Sequence, residues 1–147
     1  MTGGAPFDTV RRTVFAYTVN DKYLQLTATG FVTAEEAQTT FRAIRADPAV
    51  PDDVPYLMDL RQYDHTSMSA EDLKPRVLRM FEILGPKIGS YWAVVIDSQV
   101  EHIVKARLLQ HLVQGDDATV MLFRDANEAK EWIVAMSDRQ ARKRLLS

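Results

Sequence analysis

Tyr91-Trp-Ala-Val-Val-Ile-Asp-Ser-Gln-Val-Glu101 is the stretch on which the reading of the fold turns. Its first six residues form a short, nearly continuous apolar run, the pattern of a strand buried on both faces. Its last four open a helix. Ser98 stands three residues before Glu101, so its hydroxyl can accept from the free N–H of the third helical position while the glutamate reaches back. A buried strand feeding a capped helix is the unit from which sheets with crossover connections are built.

The unit recurs on both sides. Downstream, Thr119-Val-Met-Leu-Phe123 precedes Asp125-Ala-Asn-Glu128. Upstream, Tyr56-Leu-Met precedes Ser69-Ala-Glu-Asp72, a weaker box because Pro75 removes a helical donor. The regular helix there is expected to begin nearer Asp72, with Pro75 in its first turn. Thr33-Ala-Glu-Glu36 heads the first helix. Before it, Thr13 to Val19 and Tyr23 to Thr29 alternate, with Phe15, Tyr17 and Val19 on one face and Leu24, Leu26 and Ala28 together on one face. Asn20-Asp21 joins them as a hairpin, both residue types tolerating the positive φ a tight turn needs.

The helices carry inward stripes at helical spacing. These are Ala37, Phe41 and Ile44 in the first, and Leu73, Val77, Met80, Phe81 and Leu84 in the second. The third has Val100, Val104, Leu108 and Leu112, and the fourth Ala129, Trp132, Ile133 and Met136. They stop before Asp47-Pro48, at Gly85-Pro86 and near Gly115. The expected order is ββαβαβαβα, an α/β fold with a small mixed sheet of about five strands and helices packed mainly on one face.

Composition narrows the class. The 147 residues are 46% hydrophobic and 26% charged, which suits one globular domain with one core. A net charge of −2 gives no general attraction to nucleic acid. With no cysteine there are no disulfides, thiolate nucleophiles or cysteine metal sites, in keeping with a reducing cytoplasm. Met1-Thr-Gly-Gly-Ala-Pro lacks the basic and apolar parts of a signal peptide, and residues 1–8 are expected to be loose.

With this order the chain resembles the SpoIIAA-like (STAS-type) family, named for bacterial anti-sigma-factor antagonists. The resemblance runs from Val14 to Val134. It rests on Gly30-Phe-Val-Thr-Ala-Glu-Glu36, Tyr56-Leu-Met-Asp-Leu-Arg61, Gly85-Pro-Lys-Ile-Gly-Ser-Tyr-Trp-Ala-Val-Val-Ile-Asp97 and Val120-Met-Leu-Phe-Arg-Asp-Ala-Asn-Glu-Ala-Lys-Glu-Trp132. It implies a mixed sheet with helices mainly on one face, and a function as a protein-interaction switch. A further likeness to CRAL-TRIO lipid-carrier domains implies apolar ligands or membranes. The switch members carry an Asp-Ser-x-Gly turn after the third strand. The matching stretch here, Tyr63-Asp-His-Thr-Ser-Met-Ser69, departs from that pattern in having no such glycine turn.

Candidate sites follow from the residues. Strand ends in open α/β sheets are where ligands sit, and the stretch from Asp59 to Asp72 leaves such an end. It offers Asp59, Arg61, His65, Thr66, Ser67 and Ser69 before a helix N-terminus. A phosphate on Ser67 or Ser69 would add about −2 charge there; the alternative is ordinary turn and cap chemistry. Asp59 and Asp97 each close a buried strand, yet no nucleophile elbow or phosphate loop accompanies them, so no catalytic residue is assigned. His102 and His111 are nine apart on one helix, on opposite faces, with His111 expected inward beside Val104 and Leu108; no metal site follows. Leu78, Ile83, Ile103, Leu109 and Val113 fall outside the stripes of the second and third helices; they are either buried against neighbouring helices or form an apolar contact surface. Arg139, Arg142, Lys143 and Arg144 form a helical basic tail over 137–147 that opposes the helix dipole or meets a membrane surface.

Two readings of function stand. One is a non-catalytic, cytoplasmic regulatory or interaction module without cofactor, engaging a protein partner. The other is a carrier or sensor of a lipid-like apolar molecule, or a domain that associates peripherally with membranes. A homodimer fits either, and nucleic acid fits neither.

Overall fold

The computed structural model describes residues 13–114 and 118–146. The opening expected to be loose, Gly115 and Ser147 lie outside the described residues. The elements are β1 (Val14–Val19), β2 (Leu24–Gly30), α1 (Ala34–Ala46), β3 (Tyr56–Tyr63), α2 (Ala70–Leu84), β4 (Tyr91–Val95), α3 (Val100–Val113), β5 (Thr119–Phe123) and α4 (Ala126–Leu146). Short 3-10 turns, His65–Ser67 and Gly85–Lys87, lead into α2 and out of it.

The sheet order is β1-β2-β3-β4-β5, with β1 antiparallel to β2 and every later pair parallel. Because the strand order advances in one direction, crossovers of one hand must place α1, α2 and α3 on the same face. Among the described residues no strand follows β5, and α4 covers the other face. The larger core accordingly lies under α1 to α3 and includes Leu24, Leu26, Met58, Leu60, Trp92 and Val94. The smaller one joins Leu57, Ala93 and Val95 to Ala129 and Ile133 of α4. Alternation along the apolar runs of β3 and β4 divides their side chains between the two cores.

Local chemistry sets the element ends. Thr33 and Glu36 form a reciprocal capping box, with bonds of 3.1 and 3.0 Å. The hairpin turn is held by Asn20 Oδ1, which accepts from the backbone N–H groups of Lys22 (2.8 Å) and Tyr23 (2.9 Å). Positive φ is not used there: among the described non-glycine residues only Asp53, at 58°, adopts it. An Asx turn thus replaces the tighter turn expected from Asn20-Asp21. Ser69 caps α2 directly by accepting from Asp72 N, so the helix starts before Asp72, and Pro75 lies inside it. Helix α3 does not begin at Ser98. The N-cap of α3 is Gln99, and Asp97 Oδ1 accepts from Gln99 N at 2.9 Å instead.

Tyr56 and Trp92 stack at 4.3 Å between ring centres where β3 and β4 begin, and Trp92 Nε1 donates to the carbonyl of Gly89 at 2.8 Å. Gly89 is required by close approach, since a Cβ there would come within 2.1 Å of the Val54 carbonyl oxygen. On α1 the buried residues are Ala37, Phe41 and Ile44, and on α2 they are Leu73, Val77, Met80 and Leu84. Each large aliphatic chain so buried contributes about 1.5–3 kcal/mol. The orientation of α3 differs from its expected stripe. His102, Ala106 and Val113 are buried, Val104 is 62% exposed and His111 is exposed. The inward histidine of α3 is therefore His102, not His111.

Candidate functional site

The proposed ligand loop does not assemble as a unit. Asp59 and Arg61 lie within β3, on the face that α4 covers, because their side chains alternate with Met58 and Leu60. They pair with each other: Arg61 Nη2 donates to Asp59 Oδ2 at 2.8 Å and Nε to Oδ1 at 3.0 Å. Burial raises the Asp59 carboxyl, but these bonds hold it below the usual carboxylate range. Ser69 lies beyond the strand as the α2 cap, its hydroxyl donating to Asp72 Oδ2 at 2.9 Å. Ser67 closes the 3-10 turn, and its side chain lies outside the described residues. The strand order also advances without reversal, so the sheet has no topological switch point to open a crevice at its carboxyl edge.

Nor do the surplus apolar residues make one surface. Leu78 is 51% exposed, but Val113 is core, and Ile83, Ile103 and Leu109 pack against the core. Helix α3 is rotated relative to the expected stripe, which carries Ile103, Leu109 and Val113 inward.

An apolar cavity lies between α1, α2 and the sheet. It has a volume of about 110 Å³, with Ala28, Met58 and Leu60 as its floor, Ala37 and Phe41 on the α1 side and Val77 and Met80 on the α2 side. Met68 and Leu109 close further walls. Exposed Ala34 and Arg79 and half-buried Gln38 and Arg76 form its outer edge. Three of the lining residues are methionines, whose unbranched thioethers adapt to irregular occupants.

Arg76 is the charged residue most closely engaged with this space. Its Nη2 donates to the carbonyl of Val32 at 3.1 Å and its Nη1 to Met68 Sδ at 3.4 Å. Tyr63 is beside it, its hydroxyl raised by burial against the opposing pull of the guanidinium. Among the described residues no carboxylate forms an ion pair with Arg76. By contrast, neighbouring Arg79 faces Glu82 at 3.5 Å.

A smaller chamber of about 50 Å³ shares Leu60, Tyr63, Met68, Leu73 and Leu109 with the first and ends on His65 and His102. The two imidazoles are buried and stacked, 4.7 Å apart and 13° from parallel. His102 Nδ1 bonds Asp97 Oδ1 at 3.1 Å, His65 Nε2 meets Gln99 Oε1 at 3.4 Å, and Lys105 Nζ donates to the carbonyl of His65 at 2.6 Å. Among the described residues, His65 Nδ1 and His102 Nε2 are buried without a hydrogen-bond partner. Burial holds His102 below the ordinary imidazole value. Asp97 is thus committed to His102 and Gln99, and Asp59 to Arg61; each carboxylate has its own partner. Among the described residues no three potential ligands gather around a metal position.

The basic tail is docked rather than free-standing. Gln140 Nε2 donates to the carbonyl and the carboxylate of Asp53 at 2.9 and 2.7 Å, and Arg144 approaches the same carboxylate at 3.8 Å. Arg139, Arg142 and Lys143 are exposed. No helix among the described residues is long and apolar enough to cross a membrane.

No family model matches the sequence, and no curated protein matches it. Solved structures do. An uncharacterized protein of the DUF3478 family with a SpoIIAA-like fold, from Shewanella loihica PV-4, superposes with a TM-score of 0.54 at 15% identity, covering 82% of this chain and 93% of the other. An anti-sigma factor antagonist from Mycobacterium paratuberculosis gives a TM-score of 0.54 at 15% identity, over 84% and 95%. The fold is SpoIIAA-like, and at this identity the likeness concerns the fold alone.

Proposed function

We propose that the chain is a non-catalytic regulatory module that takes an apolar small molecule in the cavity between α1 and α2 and signals its presence to a protein partner. The observation that carries this reading is the cavity itself: an apolar space reaching the surface between two helices. A ligand there would touch α1, α2 and the sheet together and so set the spacing of the two helices. Phe31, 47% exposed at the outer groove beside Pro75, and Leu78 on α2 are apolar positions through which a partner could read that change. The description of one structural neighbour as an anti-sigma factor antagonist supports a protein partner. Control by a small molecule is favoured over a phosphate on Ser69, because the Ser69 hydroxyl caps α2 and lies on the Asp72 carboxylate, where added negative charge is repelled.

Native mass spectrometry of the protein purified from its own host tests the reading. A retained small molecule, lost when Val77 is replaced by Trp to fill the cavity, is the expected result. A bare polypeptide mass at gentle ionisation, from protein that also binds no apolar compound added afterwards, would remove the support for it.

A further inference from the structure

Arg76 poses a question that packing alone does not answer. A guanidinium carries five donors and keeps its charge at all physiological pH, and half-buried arginines ordinarily face a carboxylate or phosphate. Here its hydrogen bonds run to neutral groups, a backbone carbonyl, a thioether sulfur and the Tyr63 hydroxyl. Asp72, four residues back along the helix, accepts from the Ser69 hydroxyl at its carboxylate and donates its backbone N–H to Ser69 Oγ, and it forms no ion pair with Arg76. The uncompensated cation borders both the apolar cavity and the outer groove that contains Phe31, Thr33 and Pro75. It stands where an apolar occupant would have to present its polar end.

We infer that the cavity binds a small monocarboxylate, its charged head anchored on Arg76 at the rim and its apolar body lying against Met58, Leu60, Val77 and Met80. This rests on the reading of the cavity as a ligand site. Carboxylate is the chemistry that fits a planar fork with donors to spare, since it can accept two parallel N–H bonds. The size of the body follows from the space. About 110 Å³, with a further chamber beyond Leu60, is comparable to the cavity of about 150 Å³ that holds benzene in another protein, so roughly six carbons can be accommodated. A long acyl chain would have to displace the α2 wall.

The test compares hexanoate with 1-hexanol by isothermal titration calorimetry, on the wild-type chain and on Arg76→Gln and Arg76→Lys. The two compounds share an apolar body and differ in the head. Hexanoate should bind the wild type at least about tenfold more tightly, as a charge-assisted bond at a partly dry site requires. Arg76→Gln should abolish that preference and leave hexanol affinity unchanged, while Arg76→Lys should keep part of it. Equal binding of both compounds to the wild type, or a hexanoate preference that survives in Arg76→Gln, overturns the carboxylate assignment and leaves the cavity reading standing. If neither compound binds the wild type, the cavity reading fails and the assignment fails with it. The wild-type comparison decides the matter even if a variant does not fold.

Discussion

Arg76 Nη2 reaches across from the second turn of α2 to the carbonyl oxygen of Val32, 3.1 Å away and just ahead of the α1 N-cap. One bond thereby ties the starts of the two helices that flank the cavity. It joins a charge to a neutral acceptor, so its contribution to the fold is small compared with that of a buried ion pair. Arg76→Met, which keeps the length of the side chain, should change stability by no more than about 1 kcal/mol in urea unfolding. A loss several times larger would mean that the arginine is a structural strut and not a poised anion contact.

Acid should weaken the fold through His102. Burial, with help from His65 and Lys105 and opposition from the bond to Asp97, holds folded His102 below its ordinary value. The unfolded chain therefore takes up this proton at higher pH, and stability is complete above about 6.5 and declines as pH falls toward the folded value. Asp97 acts in the same sense at lower pH: burial raises it, but the Gln99 N–H and His102 hold it net below the usual range. Its contribution is lost below about pH 3.9. The Tm should fall between about pH 7.5 and about pH 5.5, and His102→Gln should flatten that slope. A wild-type Tm that rises with acidification would contradict the protonation scheme.

Gly89 should tolerate no side chain. A Cβ would meet the Val54 carbonyl oxygen at 2.1 Å and the Tyr56 ring at 2.9 Å, contacts of backbone and of a stacked ring that cannot yield. Gly89→Ala should cost about 1–3 kcal/mol or more. Chemical denaturation measures it, and a neutral result would mean that β4 enters the sheet by another path.

The two faces of the sheet can be probed against a surface control. Ile133, fully buried, fastens α4 to Leu57, Ala93 and Val95, and Ile133→Ala should cost about 2–5 kcal/mol. Leu78→Ser, at a position 51% exposed, should remain within about 0.5 kcal/mol. Comparable losses at both positions would place Leu78 in a packed interface that the monomer does not show.

The parts of the fold legible in the sequence were those with strong local contrast. Helices α1 and α2 each set apolar residues at helical spacing against charged ones, and the buried stripes are those the spacing implies, with Phe81 only partly covered. Helix α3 offers apolar residues on nearly every side, from Ile103 and Val104 to Leu112 and Val113. Several stripes compete there, and the one that wins is marked by His102 and Ala106, which hydropathy does not single out. In β3, Asp59 and Arg61 resemble the start of a loop because charges are rare inside parallel strands. Their mutual ion pair and partial exposure under α4 make the strand position tolerable. The candidate site was not legible. A cavity is what remains after elements distant in sequence have packed, and Arg76 reads locally as one more solvated charge beside Pro75. His65 and His102, far apart in sequence, come together because the parallel pairing of β3 with β4 sets the segments that follow these strands side by side.

The central claim, that the space between α1 and α2 is a ligand site, is tested most directly by methionine methyl NMR during titration with hexanoate. Met58, Met68 and Met80 line the cavity, whereas Met121 and Met136 do not. Saturable shifts confined to the first three methyls, and absent from Met121 and Met136, are the predicted result. Shifts spread over all five, or none at any concentration up to solubility, would contradict it.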